Sequence, residues 1–323
     1  MRAHRSRVIT VATLLLVIAT LAGVLTALLH RTGAPDDPGR PAPKGAAQID
    51  LAREVAGYTS RFGPGRGYAQ PGQADRDGIA AAIGLLLDGH REQAEQRLAQ
   101  RDFSVRTVVD RPSGHRYAEV ADRTDTAVTP RGWGRVYVDL DHRPRWSVQV
   151  PHPGFDLGTE QLGVRVLRGS PGGILVIAGA HRKAGVGNSA DVAHRRDSVF
   201  HAICAELARR GMPGIQLHGF AASAAPDYDV ITSTGAGTAA RPEGRELADA
   251  LRGHGFRVCR AWVRSCPLEG RTNVQGQVAD ADHVPFLHVE FSPTIRAGGR
   301  PAERAADAVA EITRRWAGQP VTD

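Results

Sequence analysis

The stretch "SVQVPHPGFDLGTEQLG" (147–163) runs alternating apolar residues into Pro151, then sets His152, Asp156 and Glu160 at intervals of four. Two later stretches have a similar character. In "GIQLHGF" (214–220) His218 closes an apolar run, and in "FLHVEFS" (286–292) Leu287, Val289 and Phe291 alternate with His288, Glu290 and Ser292. A period of two places each of these sets on its own face of a strand. A glutamate inside such a strand is costly to bury without a partner. Two histidines and a carboxylate from separate strand ends make the three protein ligands of a catalytic zinc, with water in the fourth position and a further glutamate to take its proton. On this reading His152 and His218 are ligands, Asp156 or Glu160 is the third, and Glu290 is the base. The plainer alternative is a set of polar strand ends in which each histidine is simply hydrogen-bonded.

These residues need a scaffold that gathers strand ends. Apolar residues at helical spacing over 78–99, interrupted at Gly89, predict one or two helices, and short alternating runs predict a strand-rich segment over 104–150. Beyond His152 strands and helices alternate. "GGILVIAGA" (172–180) reads as a strand buried on both faces, and "DSVFHAICAELARR" (197–210) as a helix with Asp197 as a candidate cap. Strands over 214–220 and 228–234, the helix "GRELADALRGHG", the strand "FRVCRAWV", a loop, the strand "FLHVEFS" and the helix "PAERAADAVAEITRRWAG" follow. The pattern predicts an α/β fold with a mixed, mainly parallel sheet and helices on both faces. In such sheets ligands collect at the carboxyl ends of strands. No fixed-period repeat is present, which argues against a solenoid.

Residues 8–29 carry no charge and are long enough to cross a bilayer. Arg2, Arg5 and Arg7 precede them and Arg31 follows, a bias that leaves the N-terminus in the cytoplasm and exports the rest. A cleaved signal peptide is the competing reading, though the run exceeds the usual apolar core of one and no clear small-residue cleavage site follows. The expected organisation is a cytoplasmic tip and transmembrane anchor over 1–31, a Pro/Gly-rich tether over 32–45 and one extracytoplasmic α/β domain over 46–320. The formal charge is +7, of which four units come from the arginines before residue 32, leaving +3 for the remainder. With no Lys/Arg block interleaved with aromatics, nothing points to nucleic acid. Three cysteines in an exported chain allow one disulfide, for which Cys259 and Cys266 in "CRAWVRSC" are the candidates, against two buried thiols. Cys204 falls at the apolar spacing of its helix and reads as core.

Taken in order, "VPHPGFDLGTEQL", "IQLHGF" and "LHVEFS" resemble the metal-binding and general-base segments of the carboxypeptidase A-like zinc hydrolase superfamily, nearest to its poly-γ-glutamate hydrolase and N-formylglutamate amidohydrolase branches. The resemblance spans about 147–293. It implies His152 and His218 as zinc ligands, an acidic residue soon after His152 as the third, and Glu290 as general base. Carboxypeptidases place that acid three residues after the histidine, where this chain has Phe155; Asp156 is therefore the choice and Glu160 the alternative. If a helix capped by Thr159 begins there, Glu160 at its start serves the helix dipole instead. The resemblance also implies substrate binding by the cluster "GAHRKAGVGNSADVAHRRDS" (179–198). Within it His181 and Asp191 are candidates, Arg182 and Arg196 are the carboxylate clamps, and Arg182 is an alternative oxyanion donor. His288, beside Glu290, is grouped with the substrate-binding residues.

The expectation is thus a membrane-anchored zinc hydrolase acting on a small peptide or N-acyl amino acid, at an amide next to a carboxylate. The rival expectation is an envelope-tethered binding protein of the same fold without catalysis. No G-x-S-x-G is present, since "RGSPGG" has other spacing and precedes a strand. C-x-x-C, phosphate-loop and dinucleotide patterns are missing too.

Overall fold

The computed structural model describes residues 46–318. The apolar run 8–29 and the whole tether lie outside them, and among the described residues no helix is long and apolar enough to cross a membrane.

Among the described residues ten strands form one sheet: β1 (Ala47–Ile49), β2 (Phe103–Asp110), β3 (Arg116–Asp122), β4 (Arg135–Asp139), β5 (Trp146–Val150), β6 (Gly173–Ile177), β7 (Gly214–Gly219), β8 (Val230–Ser233), β9 (Val258–Arg260) and β10 (Phe286–Phe291). Their order is β1-β2-β3-β4-β6-β5-β7-β10-β8-β9. Five pairings are parallel, among them the contiguous centre β6-β5-β7-β10, and four are antiparallel. The sheet is therefore mixed with a parallel heart, as the alternation of elements predicts. Strand β3 is an addition to the sequence reading, its alternation masked by Ala118, Ala121 and two acids.

Helices cover both faces. On one side α1 (Leu51–Thr59), α4 (Thr159–Gly169), α6 (Arg241–Gly253) and α9 (Gly299–Trp316) pack on Val148, Val150, Leu175, Ile177, Leu217, Leu287 and Val289. On the other, α2 (Gln73–Leu87), α3 (Arg91–Ala99) and α5 (Val199–Arg209) pack on Ala118, Val136, Val138, Ile174 and Val176. Gly89, at φ 82°, makes the break between α2 and α3. The strand expected over 256–263 is confined to 258–260, the 264–285 segment, expected as a loop, contains α7 (Val274–Ala281), and the short α8 (Pro293–Arg296) follows β10.

Two caps differ from expectation. Ser198, not Asp197, caps α5 by accepting from the His201 N–H at 3.1 Å, because the Asp197 carboxylate is held by Arg195 at 3.0 and 2.8 Å. Gly158 is the cap of α4, with Thr159 its first residue, so Glu160 is the second. A cap there has φ 88°, and a Cβ would overlap the Arg296 carbonyl, which leaves glycine as the residue that fits. Cys259 and Cys266 form a disulfide at the β9 edge, and Cys204 is a buried free thiol within α5.

Candidate metal centre

The central parallel strands deliver their carboxyl ends to one place. β5 leads through Pro151 to His152, and a tight turn follows in which the Phe155 and Asp156 N–H groups donate to the His152 carbonyl at 3.1 and 2.9 Å. That turn folds the Asp156 carboxylate back toward its own histidine. β7 carries His218, and β10 lies beside it in register, with His288 opposite Gln216 and Glu290 opposite His218. Arg296 ties the three exits together, donating to the carbonyls of Leu157, Phe220 and Phe291 at 2.6, 2.9 and 3.0 Å.

One Asp156 carboxylate oxygen, Oδ2, lies 3.2 Å from His152 Nδ1 and 3.4 Å from His218 Nδ1. All three residues are buried. Ligand atoms of a tetrahedral zinc with bonds of 2.0–2.2 Å are themselves about 3.3 Å apart, so this donor set fits that ion. The outward nitrogens are occupied: His152 Nε2 meets Asp191 Oδ1 at 2.8 Å, and His218 Nε2 meets Gln216 Oε1 at 2.7 Å. A carboxylate or amide on the far nitrogen is how metal-binding imidazoles are commonly oriented.

The electrostatics of the cluster are set by burial and by its own charges. Burial pushes the Asp156 carboxyl up, but the neighbouring His152 and His218 imidazoles outweigh it and hold the group well below its usual range. Burial lowers His218 to about 4 and drives His288 well below 6.5, the latter aided by neighbouring His218. Glu290 is driven the other way: burial, then the charge of Asp156, raise its carboxyl well above 4.5. Glu290 Oε2 and His288 Nδ1 are buried without a hydrogen-bond partner. His288 stacks on His218 with ring centroids 4.4 Å apart, and its Nε2 is 4.0 Å from Glu290 Oε1. Gly270 closes against this ring, where any Cβ would collide with the imidazole.

An open cleft of about 560 Å³ leads to these atoms, lined by His152, Arg182, His194, His218, His288 and Glu290, with Leu268 and Thr272 at its wall. Arg182 donates to Asp191 Oδ2 at 2.6 Å and lies over the half-exposed Phe155 ring at 5.1 Å. Asp191 thus joins Arg182, His152 and His194, the last at 3.2 Å. These partners hold its carboxyl far below the usual range against the opposing effect of burial.

Not every predicted residue gathers here. Glu160 is buried with Oε2 unpartnered and faces neither imidazole at bonding distance; Asp156 is the acid that does. His181 packs edge-on against Phe155 and lines a neighbouring cavity with Tyr58, Arg61 and Arg66. Arg196 is a correction to the sequence reading as a clamp: it bonds Gln277 Oε1 at 2.7 Å and lines a separate groove with Arg76 and Arg209. Two residues that bear on the site, Gln216 and Asn273, carry no reading in the sequence analysis, and His194 enters there as part of the 179–198 cluster. A signal existed for Gln216, since a residue two before His218 on a strand shares its face.

No protein-family model matches the sequence, and no curated protein does. Among solved structures the chain is similar to N-formylglutamate amidohydrolase from Ralstonia eutropha JMP134, at 15% identity and a TM-score of 0.39 over 55% of this chain and 94% of that one. It is similar also to a metallo-carboxypeptidase from Burkholderia cenocepacia, at 13% identity and a TM-score of 0.36 over 72% and 67% of the two chains. A third is the LapA aminopeptidase of Legionella pneumophila, at 10% identity and 0.36 over 90% and 81%. The first two are the kinds of protein that the sequence resemblance names. With TM-scores below 0.5, the functional reading rests on the site's own atoms.

Proposed function

We propose that this chain is a zinc-dependent amidohydrolase that cuts an amide next to a carboxylate-bearing residue, such as a γ-glutamyl, N-acyl amino acid or envelope peptide. One observation carries the reading: two imidazole Nδ1 atoms converge on a single Asp156 oxygen at tetrahedral-ligand spacing. His152, Asp156 and His218 would hold the ion, which when bound supplies an acidified water and a polarised carbonyl. Glu290 stands on the strand beside His218 with an unpartnered oxygen, suited to accept that water's proton and pass it to the leaving amine. Asp191 keeps His152 turned with Nδ1 inward. Arg182 gives one N–H to Asp191 and has others for a substrate carboxylate at the cleft mouth. The apolar run 8–29 supports an anchor that places this domain outside the membrane.

Metal analysis of the purified chain should find near one equivalent of zinc, as one catalytic site requires; less than about a tenth would sink the proposal. On a panel of N-acyl amino acids and γ-glutamyl peptides, Glu290→Gln should keep its zinc and lose about 10²–10⁴-fold in turnover. A parent chain with zinc but no turnover on the panel would favour the binding-protein alternative.

A further inference from the structure

Beneath the candidate centre, on the same face of the sheet, lies a layer of buried amides. His218 Nε2 faces Gln216 Oε1, which also receives Asn273 Nδ2. The other end of that amide, Gln216 Nε2, faces Gln149 Oε1 at 3.1 Å and Gln275 Oε1 at 3.3 Å. Gln149, Gln216, Asn273 and Gln275 are all buried.

Amide oxygen and nitrogen are hard to tell apart by shape, so their orientation must come from partners of fixed character. Here both ends of the layer terminate on backbone. Asn273 caps α7, its Oδ1 accepting from the Gly276 N–H at 2.9 Å. A backbone N–H only donates, so Asn273 Nδ2 must be the atom turned to Gln216, and the atom it meets must be an acceptor. At the far end Gln275 Nε2 donates to the Val192 carbonyl at 2.9 Å. A carbonyl only accepts, so Gln275 presents its oxygen to Gln216, whose nitrogen must face it. Both anchors give Gln216 the same orientation, Oε1 toward His218. An acceptor there requires the proton of the His218 ring to sit on Nε2, which leaves the Nδ1 lone pair bare and aimed at Asp156.

We infer that Gln216 and Asn273 are positioning residues: the cap of α7, acting through Gln216, locks His218 in the Nε2–H tautomer that presents Nδ1 to a metal. The inference rests on the zinc reading for its purpose but not for its geometry. It makes bare Nδ1 and the Asp156 carboxylate, 3.4 Å apart, two acceptors facing each other, an arrangement that a cation between them resolves. Outer partners that fix a ligand's tautomer typically contribute about 10–100-fold to metal affinity.

The test uses the full chain, freed of metal and labelled with ¹⁵N-histidine, with the His218 signal assigned by its loss in His218→Asn. The two ring nitrogens should report protonated Nε2 and bare Nδ1 on His218. Asn273→Asp keeps the acceptor that caps α7 but replaces the Nδ2 donor with an acceptor facing Gln216 Oε1, so one of the two anchors now opposes the orientation that the Gln275 anchor alone still favours. In that variant His218 should gain the Nδ1–H form, and zinc affinity, measured by chelator competition, should fall about 10–100-fold. Denaturant titration of the same metal-free variant, which should unfold at nearly the parent midpoint because the α7 cap is kept, distinguishes a lost tautomer from a generally weakened fold. The inference is overturned if His218 carries Nδ1–H in the parent chain, or if Asn273→Asp leaves both tautomer and zinc affinity unchanged. It is overturned equally if Asn273→Asp loses zinc affinity while His218 keeps the Nε2–H tautomer. Nε2–H on His218 in a parent chain that takes up no zinc would uphold the lock and remove the metal reading.

Discussion

Two groups of buried charge sit in this sheet, and they are built on opposite terms. Near the N-terminal strands Arg106 grips Glu119 with hydrogen bonds of 3.1 and 2.9 Å, Arg131 holds Asp122 at 2.9 Å, and Arg135 holds Asp125 at 3.0 Å while lying over the Tyr58 ring at 4.0 Å. Each of these carboxylates has its cation within the chain. At the carboxyl ends of β5, β7 and β10, Asp156 and Glu290 are equally buried, yet among the described residues they have no Arg or Lys at ion-pair distance, only imidazoles. Burial of charge is tolerated when charge is paired on site. The first cluster meets that condition and explains itself as structure; the second leaves it open, and leaves Glu290 Oε2 and His288 Nδ1 without partners besides. A site whose own residues leave the electrostatics unbalanced is one whose counter-charge comes from elsewhere.

The contrast can be broken from either side. Asp156→Ala should have the largest effect, costing zinc affinity well beyond the 10–100-fold of outer-shell changes, with chelator competition as the measurement. Asp125→Ala removes the 3.0 Å partner of buried Arg135, leaving it Glu54 and Glu119 at 3.6 and 3.9 Å, and should cost about 2 kcal/mol of unfolding free energy in denaturant titration, with zinc uptake unchanged. If Asp125→Ala instead lost metal and kept stability, the two clusters would have been assigned the wrong way round.

A smaller effect concerns His201, which accepts from Gln275 in the amide layer at 3.2 Å and is lowered by burial to about 4, with Arg196 and Arg76 acting in the same direction and Asp197 against them. Its folded value lies below the ordinary 6.5, so between pH 6.5 and 4 the unfolded chain binds a proton that the folded chain refuses. Stability is then lost as pH falls through that window, at up to about 1.4 kcal/mol per pH unit for one group. Unfolding curves of the metal-free chain should flatten there in His201→Gln. The smallest effect is expected of Glu160→Ala, within about 1 kcal/mol of stability through the α4 terminus and no loss of zinc; a zinc loss matching that of Asp156→Ala would move the third ligand to Glu160.

How much of this was legible in the sequence differs from residue to residue. Alternation in "FLHVEFS" put Leu287 and Val289 in the core and Glu290 on the opposite face, because side-chain direction along a strand has a fixed period that any register preserves. The positions of His152 and His218 at the ends of apolar runs marked them for the carboxyl edge for the same local reason, and the glycines around "GGILVIAGA" bounded a strand buried on both faces. Helix caps were less legible: whether Asp197 or Ser198 closes α5 depended on Arg195 competing for the aspartate, a choice between neighbours that composition alone does not weigh.

What tertiary structure decided is the pairing. Asp191 reaches His152 from 39 residues away, and Asn273 reaches Gln216 from 57. Asp156 meets the imidazoles, and Glu160 does not, through the turn closed on the His152 carbonyl, while Arg196 finds Gln277 from 81 residues away and lines another groove. Sequence periodicity fixes which way a side chain points on its own element; which partner waits there depends on strand order, register and the return path of loops, and these are set by packing of the whole sheet.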